Sequence, residues 1–246
     1  MDEEKVLDIV IDVGMGILVS GGEIFRVEDS VKRMLFSYGI EKVDVFAITS
    51  VINVTIHSSD DRIYTNTRRI NRTELNLKRL DMLNSLSRFI CENKPEPDEI
   101  RKRLNKIMVY EEYSLLIKNI SYAIVSFSFC RINGGDFTES VISAVLGIVL
   151  INTVKVFERI GVNKLVSLIG ASFICGMMGR IGANFFSVDA SKIAVGNIML
   201  LVPGLTVTNA LRDLITGDTM AGILHLIDGV LIATCLVLGF VLADSV

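Results

Sequence analysis

The sequence lacks the patterns that define several common protein classes. Its four cysteines are scattered over 246 residues without a CxxC pair, which argues against a disulfide framework or a zinc site. Neither GxSxG nor HExxH occurs, so two familiar hydrolase signatures are missing. The chain opens on the acidic stretch Met1-Asp2-Glu3-Glu4, and we therefore expect no cleaved signal peptide. No metal site and no cofactor is predicted.

Basic residues are too few and too unevenly placed for a nucleic-acid-binding protein. The formal net charge is -3, and Lys and Arg form only short clusters. Of the 25 Lys and Arg, 18 lie in residues 1–118 and only 7 in residues 119–246. The overall hydrophobic content of 50% therefore hides two unlike halves. We predict an α+β cytosolic domain over residues 1–112 and an α-helical membrane domain over residues 113–246.

The N-terminal half combines helical and strand patterns. Residues 5–19 are apolar but too short and too charged to cross a bilayer, which predicts a buried helix. Ser20 and Glu23 have the spacing of a capping box at the start of a second helix, which we expect to end at Gly39. Alternating β-branched residues then predict a small antiparallel meander of three strands. Two more helices are predicted at 74–93 and 98–112.

Five apolar runs follow, each near the length of a bilayer crossing. We place them at residues 114–131, 137–154, 164–183, 190–210 and 221–243. Lys155, Arg159 and Lys164 fall between the second and third runs. Together with the basic N-terminal domain, they place the N-terminus in the cytoplasm by the positive-inside rule. Five spans then leave the C-terminus outside, and we expect a multi-pass protein of the inner (cytoplasmic) membrane.

The fourth apolar run contains a helix-breaking pair. Pro203 has no N–H to donate and clashes with the carbonyl of Met199, while Gly204 lets the backbone approach a ligand. In lipid such a break persists only where protein or a water-filled cavity satisfies the freed backbone groups. Transporters place substrate sites at breaks of this kind. The alternative is a packing kink without a ligand, because Gly and Pro are common in membrane helices.

Polar residues continue from the break along one helical face. Thr206, Asn209 and Asp213 recur at i, i+3 and i+7, and Thr206 is predicted to cap the continuing half-helix. A substrate carboxylate would suit the positive end of that half-helix, and the freed carbonyls would suit an ammonium group. Together with Pro203 and Gly204, these residues form the predicted substrate-binding set. A purely structural role for this face is the alternative.

Ionisable residues inside apolar runs are the remaining candidates, because a charge within a span is costly and marks a site by default. We predict that Asp228 carries a coupled proton. Four other residues are candidate gate or anchor positions: Arg26, Arg180, Arg212 and His225. Each also has a simpler interpretation, as an ion-pairing or interfacial side chain without a role in transport.

Two stretches resemble the threonine/serine exporter family. They are SGGEIFRVEDSVKRML at residues 20–35 and NIMLLVPGLTVTNALRDLITGDTMAGILHLIDGVLIATCLVLG at residues 197–239. The resemblance implies a cytosolic domain joined to membrane helices, and proton-driven export of threonine and serine. Some members export small dicarboxylates such as succinate instead. Long members carry a second set of membrane helices, so the resemblance also implies a separate small membrane protein that supplies this second half, or self-association.

Two rival functions remain open. A membrane-tethered hydrolase would need a nucleophile, a base and an orienting group, and the candidates are His57, Ser50, Ser58, Asp44 and Asp60. A sensor or assembly protein that binds a partner or metabolite through its N-terminal domain is the second rival. The broken apolar run favours a transport pathway over both, because a plain anchor has no need of a break.

Overall fold

The computed structural model describes residues 3–58, 62–71, 75–110 and 113–245. Contact clustering divides the chain into two compact units. Unit 1 comprises Met1–Glu112 and Thr208–His225, and unit 2 comprises Tyr113–Val207 and Leu226–Val246. The elements in chain order are α1 (Glu3–Val19), α2 (Ile24–Ser37), β1 (Lys42–Ile48), β2 (Val51–His57), β3 (Ile63–Arg69), α3 (Leu77–Asn93), α4 (Pro97–Met108), α5 (Leu115–Ile132), α6 (Phe137–Arg159), α7 (Lys164–Phe186), α8 (Ala190–Ile198), α9 (Gly204–Thr216) and α10 (Thr219–Asp244).

Unit 1 is built around α1, which is apolar on nearly every face and is therefore covered on nearly every face. Helices α2, α3 and α4 contact it, as do strands β2 and β3. Val10 and Val13 are fully buried, and so are Ile52, Val54 and Ile56 along one face of β2. Burial of such side chains contributes about 1.5–3 kcal/mol each, so the apolar face of β2 holds the sheet against the helices.

The predicted meander is confirmed as a three-stranded antiparallel sheet in the order β1-β2-β3. Val45 pairs with Val54, and Thr55 pairs with Thr65. The turn predicted at residues 58–61 lies mostly outside the described residues. Gly39, just after α2, has a φ of 88°. Glycine adopts this left-handed conformation without strain, so it ends the helix as predicted.

Two carboxylates that interrupt the apolar pattern of α1 attach it to its neighbours. Asp12 accepts a hydrogen bond of 2.7 Å from Arg68 Nε on β3, and Asp8 accepts one of 2.9 Å from Arg101 Nη2 on α4. Arg68 also donates to Asp8. Burial alone would raise the pKa of Asp8, but the bonds from Arg68 and Arg101 outweigh it and hold the pKa below its usual value.

The capping box predicted for α2 is wrong. The N-cap is Glu23, and its side chain makes no capping bond. Ser20 lies before the helix and is fully buried, with no hydrogen-bond partner for its hydroxyl among the described residues. The carboxylate of Glu23 contacts Arg26 and Arg212 instead, so ion pairing replaces the local bond that the spacing predicted.

Unit 2 contains the strongly apolar helices. In the described part of the chain, four helices are long and apolar enough to cross a membrane: α5, α6, α7 and α10. The fourth predicted run is not one helix, because it divides into α8 and α9 with residues 199–203 between them. Lys155 and Arg159 were predicted between spans but lie inside α6, since that helix continues five residues beyond the predicted end.

Candidate functional site

The break between α8 and α9 lies where Pro203 predicts it. Helix α8 has Met199 as its C-cap, and α9 begins at Gly204. Gly204 N–H donates to Val202 O at 2.8 Å, and Val207 N–H donates to Pro203 O at 3.0 Å. Among the described residues, no backbone N–H donates to the carbonyl oxygens of residues 199–201. The break therefore presents acceptors from one half-helix beside the N-terminus of the next.

Gly204, the first residue of α9, is exposed. A Cβ built at Gly204 would meet nothing within 4 Å. A small ligand group can therefore approach the backbone there without displacing a side chain. Thr206 lies in the first turn of α9 and is half-buried. The prediction that Thr206 caps α9 is wrong, because the helix already begins two residues earlier.

The first turn of α9 packs against α10 beside Asp228. A Cβ at Gly229 would lie 3.1 Å from Val207 Cγ2 and 4.0 Å from Thr206 Cγ2, so the absence of a side chain at Gly229 allows the two helices to approach closely. The neighbouring Asp228 side chain is exposed. This places the predicted proton carrier one residue from a close contact with the broken helix.

Farther along α9, Asp213 makes a side-chain contact that sequence spacing did not predict. Its carboxylate lies 2.9 Å from His225 Nδ1 on α10, and Asp213 is 1% exposed. The turn at Gly217, with a φ of 96°, reverses the chain and brings these two residues together. Both belong to unit 1. Asn209 lies half-buried on α9, one turn before Asp213.

Two of the three candidate arginines share one carboxylate in unit 1, and the third lies in unit 2. Arg212 pairs with Glu23 within unit 1. Arg26 lies 3.4 Å from the same carboxylate and lines an open cleft of about 370 Å³ between α2 and α3. In unit 2, Arg180 on α7 donates to the carbonyls of Ala243 and Asp244 at the end of α10. It therefore caps a helix C-terminus, where a cation is favourable.

A buried polar cluster in unit 2 was missed by sequence reasoning. Ser126 Oγ lies 2.8 Å from Asn197 Oδ1 and 3.0 Å from Ser143 Oγ, and all three residues are 0% exposed. Close approach at two glycines makes this possible, since a Cβ at Gly196 would lie 2.3 Å from Ser143 Oγ and one at Gly147 would lie 2.8 Å from Ser126 Cβ. The cluster joins α5, α6 and α8 just before the break.

A second overlooked contact holds the other end of α8. Glu139 is 4% exposed and forms a capping box with Asp136 at the start of α6. Its carboxylate also accepts the N–H of Asp189, the N-cap of α8, at 2.9 Å, and lies 3.5 Å from Lys192 Nζ. Helix α8 is therefore tied to its neighbours at both ends, whereas Gly204, beyond the break, is exposed.

The residues considered for a hydrolase do not converge. Ser50 precedes β2 and His57 ends it, which separates them by about 23 Å along an extended strand. Asp44 pairs across the sheet with Thr55. Ser58 adjoins His57 in sequence, but no hydrogen bond joins them in the described part of the chain, and Asp60 lies outside it.

Comparison with known proteins places the chain in a family. A profile described as "Putative threonine/serine exporter" matches residues 8–246. The chain belongs to the threonine/serine exporter family. Membership in this exporter family, together with four apolar helices, indicates an integral membrane transporter.

One relative of this exporter family member has a curated name. A Klebsiella aerogenes protein named "Probable succinate transporter subunit YjjP" is 22% identical over 249 residues, covering 98% of this chain and 94% of the relative. The name of the relative refers to a dicarboxylate and to a subunit, whereas the family description refers to amino acids. No solved structure matches this chain.

Proposed function

We propose that this chain is one subunit of a proton-coupled exporter of small carboxylate-bearing metabolites, with threonine and serine as its substrates. The observation that carries the proposal is the break at residues 199–203, between a tethered half-helix and the open start of the next. An unbroken span would satisfy its own backbone and leave no groups for a polar ligand, whereas a break at membrane depth supplies them.

The two sides of the break suit the two charged groups of an amino acid. The substrate carboxylate accepts from the N–H groups in the first turn of α9, where the helix dipole is positive. The substrate ammonium donates to the carbonyls of Met199, Leu200 and Leu201, which accept no backbone bond among the described residues. Thr206 in the first turn offers a hydroxyl to the side chain of threonine or serine.

Asp228 is the proposed proton carrier. An ionised carboxylate near the middle of a span costs about 2.5–3.5 kcal/mol on insertion scales, and Asp228 is exposed on a helix that is otherwise apolar around it. Binding a proton removes that cost. Because Asp228 adjoins Gly229, where α10 packs on the first turn of α9, its charge state can alter how the broken helix is held.

A small dicarboxylate such as succinate is the alternative substrate. The name of the Klebsiella aerogenes relative supports it. A dicarboxylate carries two anionic ends and no ammonium group, so it needs a cation in place of the carbonyl acceptors. The two substrate classes are therefore distinguished by competition. Serine displaces bound threonine if the substrates are amino acids, whereas succinate binds and threonine does not displace it if the substrate is a dicarboxylate.

The proposal includes a second subunit and an orientation. The relative is named as a subunit, and the family resemblance implies a small membrane protein that completes the transporter, with self-association as the alternative. Basic residues at the end of α6 and the start of α7, together with the basic residues of unit 1, support a cytoplasmic N-terminal domain in the inner membrane. If the segment containing α8 and α9 also crosses the membrane, the C-terminus lies outside.

Transport by proteoliposomes tests this function. The chain is reconstituted alone and with a candidate second subunit, and efflux of radiolabelled threonine, serine and succinate is measured with and without an inward proton gradient. We expect Asp228→Asn to abolish acceleration by the gradient while exchange of labelled for unlabelled substrate continues. Asp244→Asn, which changes a carboxylate at the other end of the same helix, is the matched control. Gradient-driven efflux that survives Asp228→Asn would remove Asp228 from the mechanism.

A further inference from the structure

Unit 2 contains a buried ammonium group without a counter-ion. Lys155 lies in α6, and its Nζ atom is buried with no hydrogen-bond partner in the part of the chain that the structure describes. The nearest recorded interaction is with the ring of Tyr122 on α5, whose centroid is 5.1 Å from Nζ. A cation over an aromatic face is attracted to it, but a ring accepts none of the three strong hydrogen bonds that an ammonium group offers.

The ammonium of Lys155 contacts a residue that lies farther along the helix pair. Asn119 and Asn152 join α5 to α6 at 3.1 Å, and Ser126 and Ser143 join them farther in. Tyr122 lies between Asn119 and Ser126 on α5, whereas Lys155 lies three residues beyond Asn152 towards the end of α6. The contact with the Tyr122 ring therefore directs the side chain back towards the asparagine pair, although lysines near helix ends ordinarily extend outward to the interface.

The charges around Lys155 favour an incoming anion. Lys118 and Arg159 both repel its ammonium, and Glu158 attracts it. Glu158 is exposed and makes no ion pair with Lys155. A buried unpaired charge is strongly unfavourable, and a net positive surrounding adds to that cost. An anionic ligand would offset both the cost of the unpaired charge and the repulsion from the neighbouring cations.

A series of contacts along α5 and α6 leads from Tyr122 to the segment between α8 and α9. Tyr122 is one helical turn from Ser126 along α5. Ser126 packs on Gly147, where a Cβ would lie 3.0 Å from Leu200 Cδ1 in the segment between α8 and α9. All of these residues belong to unit 2.

We propose that Lys155 binds the second carboxylate of a transported dicarboxylate, with Tyr122 holding the ammonium in place while the site is empty. This inference rests on the proposed function, and it deepens that function by assigning the cation that its dicarboxylate alternative requires. Threonine and serine carry one carboxylate, which the first turn of α9 accepts in the proposed site. For a dicarboxylate, Lys155 provides a cationic partner that the carbonyls of the break do not offer. The phosphate of an anionic lipid is a second source of similar chemistry.

Lys155→Met is the most informative variant, because it keeps the length of the side chain and removes the charge. If the charge is kept for a ligand, its removal raises the thermal midpoint of the empty protein, since apolar replacement of a buried charge is stabilising. The same variant is expected to weaken succinate binding by about tenfold or more, as expected for loss of one ion pair, and to leave threonine binding unchanged. Lys155→Arg retains binding within a few-fold. Lys164→Met, at the exposed start of α7, changes neither property.

Equilibrium binding to the full chain in lipid nanodiscs gives the test, with labelled succinate and labelled threonine as probes and phosphatidylcholine as the lipid. Unchanged succinate affinity in Lys155→Met, a lowered thermal midpoint, or a wild type that binds threonine but not succinate overturns the inference, and the proposed function survives if the wild type still exports. A wild type that neither binds nor exports either probe removes both. Repeating the measurement with phosphatidylglycerol tests the lipid source. Weakening of wild-type binding there, without weakening in Lys155→Met, assigns the ammonium to lipid phosphate and overturns the substrate assignment.

Discussion

Gly196→Ala tests whether α8 is as tightly held as the buried polar cluster indicates. A Cβ at Gly196 would lie 2.3 Å from Ser143 Oγ, 2.8 Å from Ser126 O and 3.0 Å from Cys130 Cβ. The serine hydroxyl can rotate, but the backbone carbonyl cannot. Helix α8 must therefore move away from α5, and the bond between Ser126 and Asn197 must lengthen or break.

The expected magnitude is the difference of two opposing effects. Overpacking of a well-packed core costs about 1–3 kcal/mol and occasionally more. Alanine gains up to about 1 kcal/mol over glycine inside a helix. The contact at 2.8 Å is with a backbone carbonyl that cannot rotate away, so we expect a net loss of at least about 1 kcal/mol. For a chain of this length that corresponds to a fall in thermal midpoint of at least about 2–4 °C.

The assay follows from the composition of the chain. It contains no tryptophan, but Cys130, Cys175 and Cys235 are free and buried. A thiol-reactive fluorescent dye therefore reports the opening of unit 2 during heating in detergent. Gly204→Ala is the matched control, because a Cβ there meets nothing within 4 Å. A midpoint for Gly196→Ala within about 1 °C of the wild type would contradict the reasoning, since about 1 kcal/mol shifts the midpoint by more.

Three further predictions concern charged contacts. The folded-state pKa of Asp8 is lowered from its ordinary value of 3.8. The ionised carboxylate therefore stabilises the fold above that value, and this contribution is lost as the pH falls through the folded-state pKa. Arg68→Gln removes part of it, so the thermal midpoint of this variant should fall less than that of the wild type between about pH 5 and pH 3. Arg180→Gln should lower the stability of unit 2 by about 0.3–1 kcal/mol through loss of the α10 cap, measured by the same thiol dye. Asp213→Ala, which removes the hydrogen-bond partner of His225, should cost about 1–3 kcal/mol. Asp213→Asn keeps an oxygen that can accept from the imidazole and should cost clearly less, and equal losses in chemical denaturation would contradict a role for this hydrogen bond.

Local patterns were sufficient where the deciding interaction is local. The three strands follow from alternation of β-branched residues, the end of α2 follows from Gly39, and the break follows from Pro203. Each of these depends on backbone constraints or side-chain periodicity within a few residues. The capping box at Ser20 and Glu23 is the instructive failure, because the same carboxylate had ion-pair partners at Arg26 and Arg212, and Arg212 lies 189 residues away.

The candidate site was predictable only in part. Asp213 and His225 were both singled out, yet their contact depends on how α9 and α10 reverse at Gly217, which helical periodicity does not describe. Lys155 was predicted between two spans, because a charged residue at the end of an apolar run marks the limit of the run in the sequence. In the structure α6 continues past it, and a neighbouring helix with Tyr122 covers the charge.

Sequence alone determined three properties of this chain: a charged N-terminal half and an apolar C-terminal half, a helix interrupted at Pro203, and membership in the exporter family. Those properties follow from composition, from the geometry of proline and from motif identity, which need no folded partner. Tertiary structure alone decided which polar groups are buried together: Ser126 with Ser143 and Asn197, Glu139 with the start of α8, and Lys155 with no acceptor. The physical reason is that burial and pairing depend on the relative depth and rotation of neighbouring helices, and periodicity within one helix specifies neither.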